Sequence, residues 1–206
     1  MTEKPNIAAP FIVAVVASIL VYFGVVVLGK ATMVIIGGSL AIAYVVWLLT
    51  SWRRPLDPKL VTLPYLILIA AELVHMAEEQ LTNFPGSLAT IFTIPSSFNL
   101  VAHAIILMGC VNAVALLALV AIRSSHQLPR EIGAFVMWFY VIGPGMVNFV
   151  AHVTFPFIVH HWYFSGLVTV ALPTIAGIVT MVQMLKSDAH GRATLRSAKV
   201  NADVAV

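Results

Sequence analysis

Residues 60–82 read LVTLPYLILIAAELVHMAEEQLT, with Glu72, His75, Glu78 and Glu79 set into the second half of an otherwise apolar run. At ~1.5 Å per residue such a run covers the ~30 Å of a bilayer's hydrocarbon as a helix. A charged residue near the bilayer centre costs roughly 2.5–3.5 kcal/mol on insertion scales. Three carboxylates and an imidazole within eight residues must therefore recover that cost by pairing, by metal binding or by protonation. The run decides the fold class, and its polar residues mark where function is to be sought.

Five further apolar runs lie near residues 7–29, 31–50, 96–122, 132–158 and 162–185. With 61% hydrophobic and 9% charged residues and a mean hydropathy of +1.01, the chain is too apolar for a soluble domain or a disordered segment. The composition predicts an all-α, polytopic transmembrane helical bundle of about six spans, a single integral membrane domain over 1–206. The first run is too long for a signal-peptide core and lacks a cleavage-site pattern. Residues 51–59, Ser-Trp-Arg-Arg-Pro-Leu-Asp-Pro-Lys, form a linker between a two-helix amino-terminal unit, 7–50, and a four-helix unit, 60–186. The polar residues 187–206 are expected to be a cytoplasmic tail, as a frayed helix end or a disordered segment.

Ten of the eleven Lys and Arg fall on one side of this arrangement, at Lys4, Arg53, Arg54, Lys59, Arg123, Arg130, Lys186, Arg192, Arg196 and Lys199; Lys30 stands alone on the other. The positive-inside rule then puts both termini in the cytoplasm of a multi-pass cell-membrane protein. The sequence pI near 9.2 follows from that asymmetry. Because the basic residues sit in short loops without interleaved aromatics, no nucleic-acid partner is expected. The partner is the lipid bilayer. Cys110, the single cysteine, reads as a small packing residue. Residues 84–95 are too apolar for a solvated loop and too short to span, which predicts an interfacial or re-entrant cap. Gly143-Pro144-Gly145 predicts a kink just before Asn148, and Gly37-Gly38-Ser39 reads as close helix packing.

At roughly 100° per residue, Glu72, His75 and Glu79 share one helix face within about 60°, with Glu78 about 60° outside it. Two further pairs, Asn99/His103 and Asn148/His152, recur as Asn-x-Val-Ala-His in the fourth and fifth spans. Counted from the outer helix ends, Glu79, Asn99 and His152 lie about 6 Å deep, and His75, His103 and Asn148 about 12 Å deep. Three antiparallel helices thus bring their polar residues to one slab. Imidazole and carboxylate donors on facing helices suit a divalent transition metal such as Zn or Fe. We expect His75, Glu79, His103 and His152 as ligands, Glu78 as general acid, base or bridging ligand, and Glu72 as ligand or proton relay. Asn99, Asn148, His160 and His161 would stand behind them, the asparagines orienting imidazoles. His126 and His190 are expected to be uninvolved. The plainer alternative is that these groups hydrogen-bond one another and hold helices together.

His-x-x-Glu-Glu at His75, Glu78 and Glu79 on a small multi-span chain resembles the HXXEE-motif family of integral membrane proteins, and the Asn/His pairs agree with that family's further histidine motifs. The resemblance covers about residues 60–186 and implies a membrane location and a site at the motif, with no substrate attached. Three functions stay open: a membrane metalloenzyme, hydrolase or di-metal oxidoreductase, acting on a lipophilic small molecule in the outer leaflet; a metal-free acid–base isomerase or cyclase; and a proton or metal-ion conduit. His-Glu-x-x-His, Gly-x-Ser-x-Gly, Walker and dinucleotide patterns are all missing.

Overall fold

The computed structural model describes residues 6–52 and 54–204, with backbone alone for residues 28 and 189–204. Lys4 and Arg53, two of the cations behind the expected orientation, lie outside the described residues, as do the side chains of His190, Arg192, Arg196 and Lys199. The chain is 78% helix, and the described residues contain no strand. In chain order the helices are α1 (Ala8–Leu28), α2 (Met33–Leu49), α3 (Pro58–Leu81), the short α4 (Phe84–Ala89), α5 (Leu100–Ala121), α6 (Gln127–Ile158) and α7 (Ala171–Val204). Among the described residues four segments, in α1, α3, α5 and α6, are long and apolar enough to cross a membrane, while α2 is apolar but shorter.

Local chemistry sets the boundaries. Asp57 accepts from the Lys59 backbone N–H at 2.9 Å and Pro58 occupies the first turn, where its missing donor costs nothing, so α3 starts there. Asn83 takes the left-handed conformation at φ 58° and its side chain accepts from Gly86 N–H, turning the chain into α4, whose Phe84, Pro85 and Leu88 are buried. This short helix falls within residues 84–95, the stretch expected as an apolar cap. Two departures concern the carboxy-terminal third. The run expected as helix from 162 is a loop until α7 begins at Ala171, and the backbone then stays helical through Val204, past the expected fray after Lys186.

Three helices carry π-helical turns: Met33–Gly37 in α2, Ala104–Val111 in α5 and Gly143–Val147 in α6. The last coincides with Gly143-Pro144-Gly145, where the sequence led us to expect a kink. In α5 the loosened carbonyls have a partner, since Asn112 Nδ2 donates to Leu107 O at 3.3 Å and Met108 O at 2.9 Å, while its Oδ1 accepts from Tyr140.

The larger of two apolar clusters draws on both expected units: Trp47 and Ala43 of α2 share it with Tyr65 and Leu68 of α3 and with Phe135 and Trp138 of α6. Small residues permit the tight crossings. A Cβ on Gly145 would stand 3.2 Å from Gly177 Cα, so α6 and α7 meet backbone to backbone. For helices in lipid such contact matters more than apolar burial, because tails are as apolar as the side chains they replace. At the end of the bundle near the linker, Arg54 Nε pairs with buried Asp188 at 2.9 Å and Ser187 Oγ accepts from Asp57 N–H at 2.6 Å, tying residues 54–57 to α7.

Candidate metal centre

Glu79, in the last turns of α3, is buried and meets imidazoles from three directions. His103 Nε2 of α5 lies 3.0 Å from its Oε2; His152 Nε2 of α6 and His75 Nε2, one turn back on α3, lie 3.0 and 3.5 Å from its Oε1. All three histidine side chains are essentially inaccessible. Among the described residues no Lys or Arg pairs with Glu79. The four residues expected as ligands therefore converge, as the common depth of three antiparallel helices requires.

The hydrogen bonds behind the rings fix their orientation. His103 Nδ1 faces Gln80 Oε1 at 2.9 Å, and an amide oxygen can only accept, so Nδ1 carries the proton. His103 Nε2 and Glu79 Oε2 then face each other as two acceptors unless a proton or a cation lies between them. Asn148 Nδ2 stands 2.9 Å from His75 Nε2, which leaves the His75 proton on Nδ1, directed at Thr169 Oγ1 at 3.3 Å; Thr169 in turn donates to Glu78 Oε2 at 2.6 Å. His152 differs. Its Nε2 meets Glu79 Oε1 as an ion pair at 3.0 Å without a hydrogen bond of ordinary geometry, and its buried Nδ1 has no hydrogen-bond partner.

Imidazole nitrogens without hydrogen bonds in a dry interior are costly, and a metal ion is one group that satisfies them. One ligand atom from each of His75, Glu79 and His152 lies within 4.8 Å of the others, slightly wider than the ~4.4 Å that two donors to one ion at 2.0–2.2 Å can span, so the group would draw in by a few tenths of an ångström around an ion. The buried His75–Glu79–His152 group can thus hold a metal ion, for which the Asn148 amide would turn away from His75 Nε2, and the donor types fit. His103 approaches the other carboxylate oxygen. Glu72, one turn deeper on the same helix face, is buried, and its Oε2 has no hydrogen-bond partner.

A loop closes the site. Residues 161–170 cross over the cluster, and Gly166 sits at φ +90° so near it that a Cβ would stand 2.6 Å from His152 Cε1 and 2.7 Å from His75 Cε1. Ser165 Oγ donates to Glu79 O at 3.3 Å, and Phe84 and Phe164 each lie 5.7 Å from the His152 ring. On the remaining side Glu72, Glu79 and His152 border an apolar cavity of about 120 Å³.

Three expectations are corrected. Glu78 is not available as acid, base or bridging ligand: Oε1 accepts from Tyr163 OH at 2.7 Å and Val168 N–H at 3.1 Å, and Oε2 from Thr169 N–H and Oγ1 at 2.7 and 2.6 Å, which saturates the carboxylate. It anchors the loop. Asn99 is exposed and caps α5, accepting from Val101 and Ala102 N–H, so it does not support an imidazole. His160 and His161 are exposed just past the end of α6, outside the contacts that build the cluster. Asn148 alone of the four supporting residues reaches a histidine. Gln80, Thr169, Tyr163 and Gly166 escaped the sequence reading; Ser165-Gly166 is a turn signal, masked there by the apolar run around it. Burial and the Glu78 carboxylate push the Tyr163 hydroxyl above the ordinary phenol range, which keeps it a donor to Glu78.

Comparison with protein-family models, with curated proteins and with solved structures finds no match to this chain.

Proposed function

We propose that this chain is a six-span integral membrane protein with both termini in the cytoplasm, and that it is a metal-dependent enzyme acting on a lipophilic molecule drawn from the bilayer. The observation that carries the reading is one buried carboxylate, Glu79, set among three buried imidazoles, with the nitrogens of His152 lacking hydrogen bonds. His75, Glu79 and His152 would hold a divalent transition ion, Zn or Fe, with His103 on the far carboxylate oxygen. A bound ion would supply Lewis-acid or redox chemistry at the cavity wall. Gln80 and Thr169 orient imidazoles, the 161–170 loop keeps water out, and the apolar cavity receives the substrate. One Glu-x-x-His and one compact ligand group favour a single ion over a pair. The site at His75, Glu78 and Glu79 accords with the resemblance to the HXXEE-motif family, with Glu78 in a structural role.

A metal-free reading has one observation in its favour: the 3.0 Å contact of His103 Nε2 with Glu79 is also what a carboxylate–imidazolium pair makes. Elemental analysis of detergent-purified protein decides between them. We expect near-stoichiometric Zn or Fe in wild type and its loss in His152→Ala. A metal-free wild type whose thermal stability is unmoved by added Zn or Fe would leave acid–base chemistry as the reading.

A further inference from the structure

The three π-helical turns among the described residues all border a cavity beside the cluster, through Ile35 and Ile36, Leu107 and Val111, and Gly143 and Pro144. π-Helical turns are rare, poorly hydrogen-bonded and frequent at functional sites. Three of them around one space describe a built chamber. Val34 and Ile105, on the outer faces of two of these turns, are exposed, so a single helix thickness separates the chamber from the surroundings. At about 120 Å³ it is smaller than the 300–1,000 Å³ of ordinary ligand pockets. A space of that size suits a single flexible chain, with its far end left in lipid, better than a fused ring system.

The polar wall selects the head group. Glu72 is 1% exposed, its Oε2 has no hydrogen-bond partner, and it borders the chamber together with Glu79. An unpartnered acceptor calls for a donor, which an ionised carboxylate or phosphate head does not offer and a hydroxyl does. We propose that the chamber binds a long-chain alcohol, its hydroxyl donating to Glu72 and its alkyl chain lying between the π-helical walls. This rests on the reading of the cluster as an enzyme site for a lipophilic molecule, and it specifies the class of that molecule.

The test is displacement of radiolabelled 1-hexadecanol from the full chain in detergent, with hexadecane and hexadecanoate as competitors and metal content measured on the same samples. Unlabelled hexadecanol should compete at least tenfold better than either. Glu72→Leu should weaken hexadecanol binding about tenfold and erase its advantage over hexadecane. Ile36→Trp, which fills the chamber away from the cluster, should abolish binding with metal content as in wild type. Equal competition by hexadecanoate, or binding undiminished in Ile36→Trp, overturns the proposal. Hexadecanol binding to a chain that takes up no metal would uphold it while refuting the metal reading, and metal uptake without hexadecanol binding would refute it alone.

Discussion

Gly166 carries a requirement out of proportion to its size. Its φ of +90° lies where L side chains are strained, and the space its Cβ would need is taken by His75 and His152. Gly166→Ala must therefore lift the loop or move the rings, and we expect a lower melting temperature together with lost metal. Gly38 is the matched control: helical, with nothing within 4 Å of an added Cβ, it should accept alanine with a gain of up to about 1 kcal/mol and unchanged metal content. Calorimetry and elemental analysis on the two variants separate a backbone effect at the site from a general one.

At the scale of the helix, two asparagines with the same sequence context have different jobs. Asn99 starts α5 and closes its first turn, whereas Asn148 sits inside α6 and turns its amide onto His75. Asn99→Ala should cost about 1 kcal/mol of stability and leave metal affinity alone. Asn148→Ala should strengthen metal binding severalfold, since it removes a donor that competes with an ion for the His75 Nε2 lone pair; equal metal affinities in the two variants would contradict this. The pair also explains what the sequence made legible. Helical spacing separated Glu72, His75 and Glu79 from Glu78, and depth brought His103 and His152 to Glu79, because both follow from a regular helix of known pitch. Whether an Asn four residues before a His caps a helix or lies within one depends on where the helix begins, and spacing is silent on that. The 161–170 loop was hidden for a related reason: Phe164, Leu167 and Val170 turn inward onto the bundle or rest against it, so a closing loop has the composition of a span.

For the molecule as a whole, orientation is the first thing to establish. In a Cys110→Ala background, His161→Cys should react with an impermeant maleimide in intact cells, and Ser125→Cys only after permeabilisation; the reverse pattern would invert the proposed topology. Both positions are exposed. The loop over the cluster has a further consequence, in time rather than in affinity. Glu78 holds that loop through four donors from Tyr163, Val168 and Thr169, none of which reaches a proposed ligand except through the Thr169 hydroxyl. An ion beneath it can leave only when the loop lifts, so residence is governed by the opening rate rather than by the strength of the bonds to nitrogen and oxygen. Stripping by a soluble chelator should then proceed at a rate independent of chelator concentration, and Glu78→Gln, which sets an amide NH₂ against donors, should speed it severalfold while leaving the equilibrium metal content nearly as it was. A metal site sealed in this way would be filled as the chain folds and seldom afterwards.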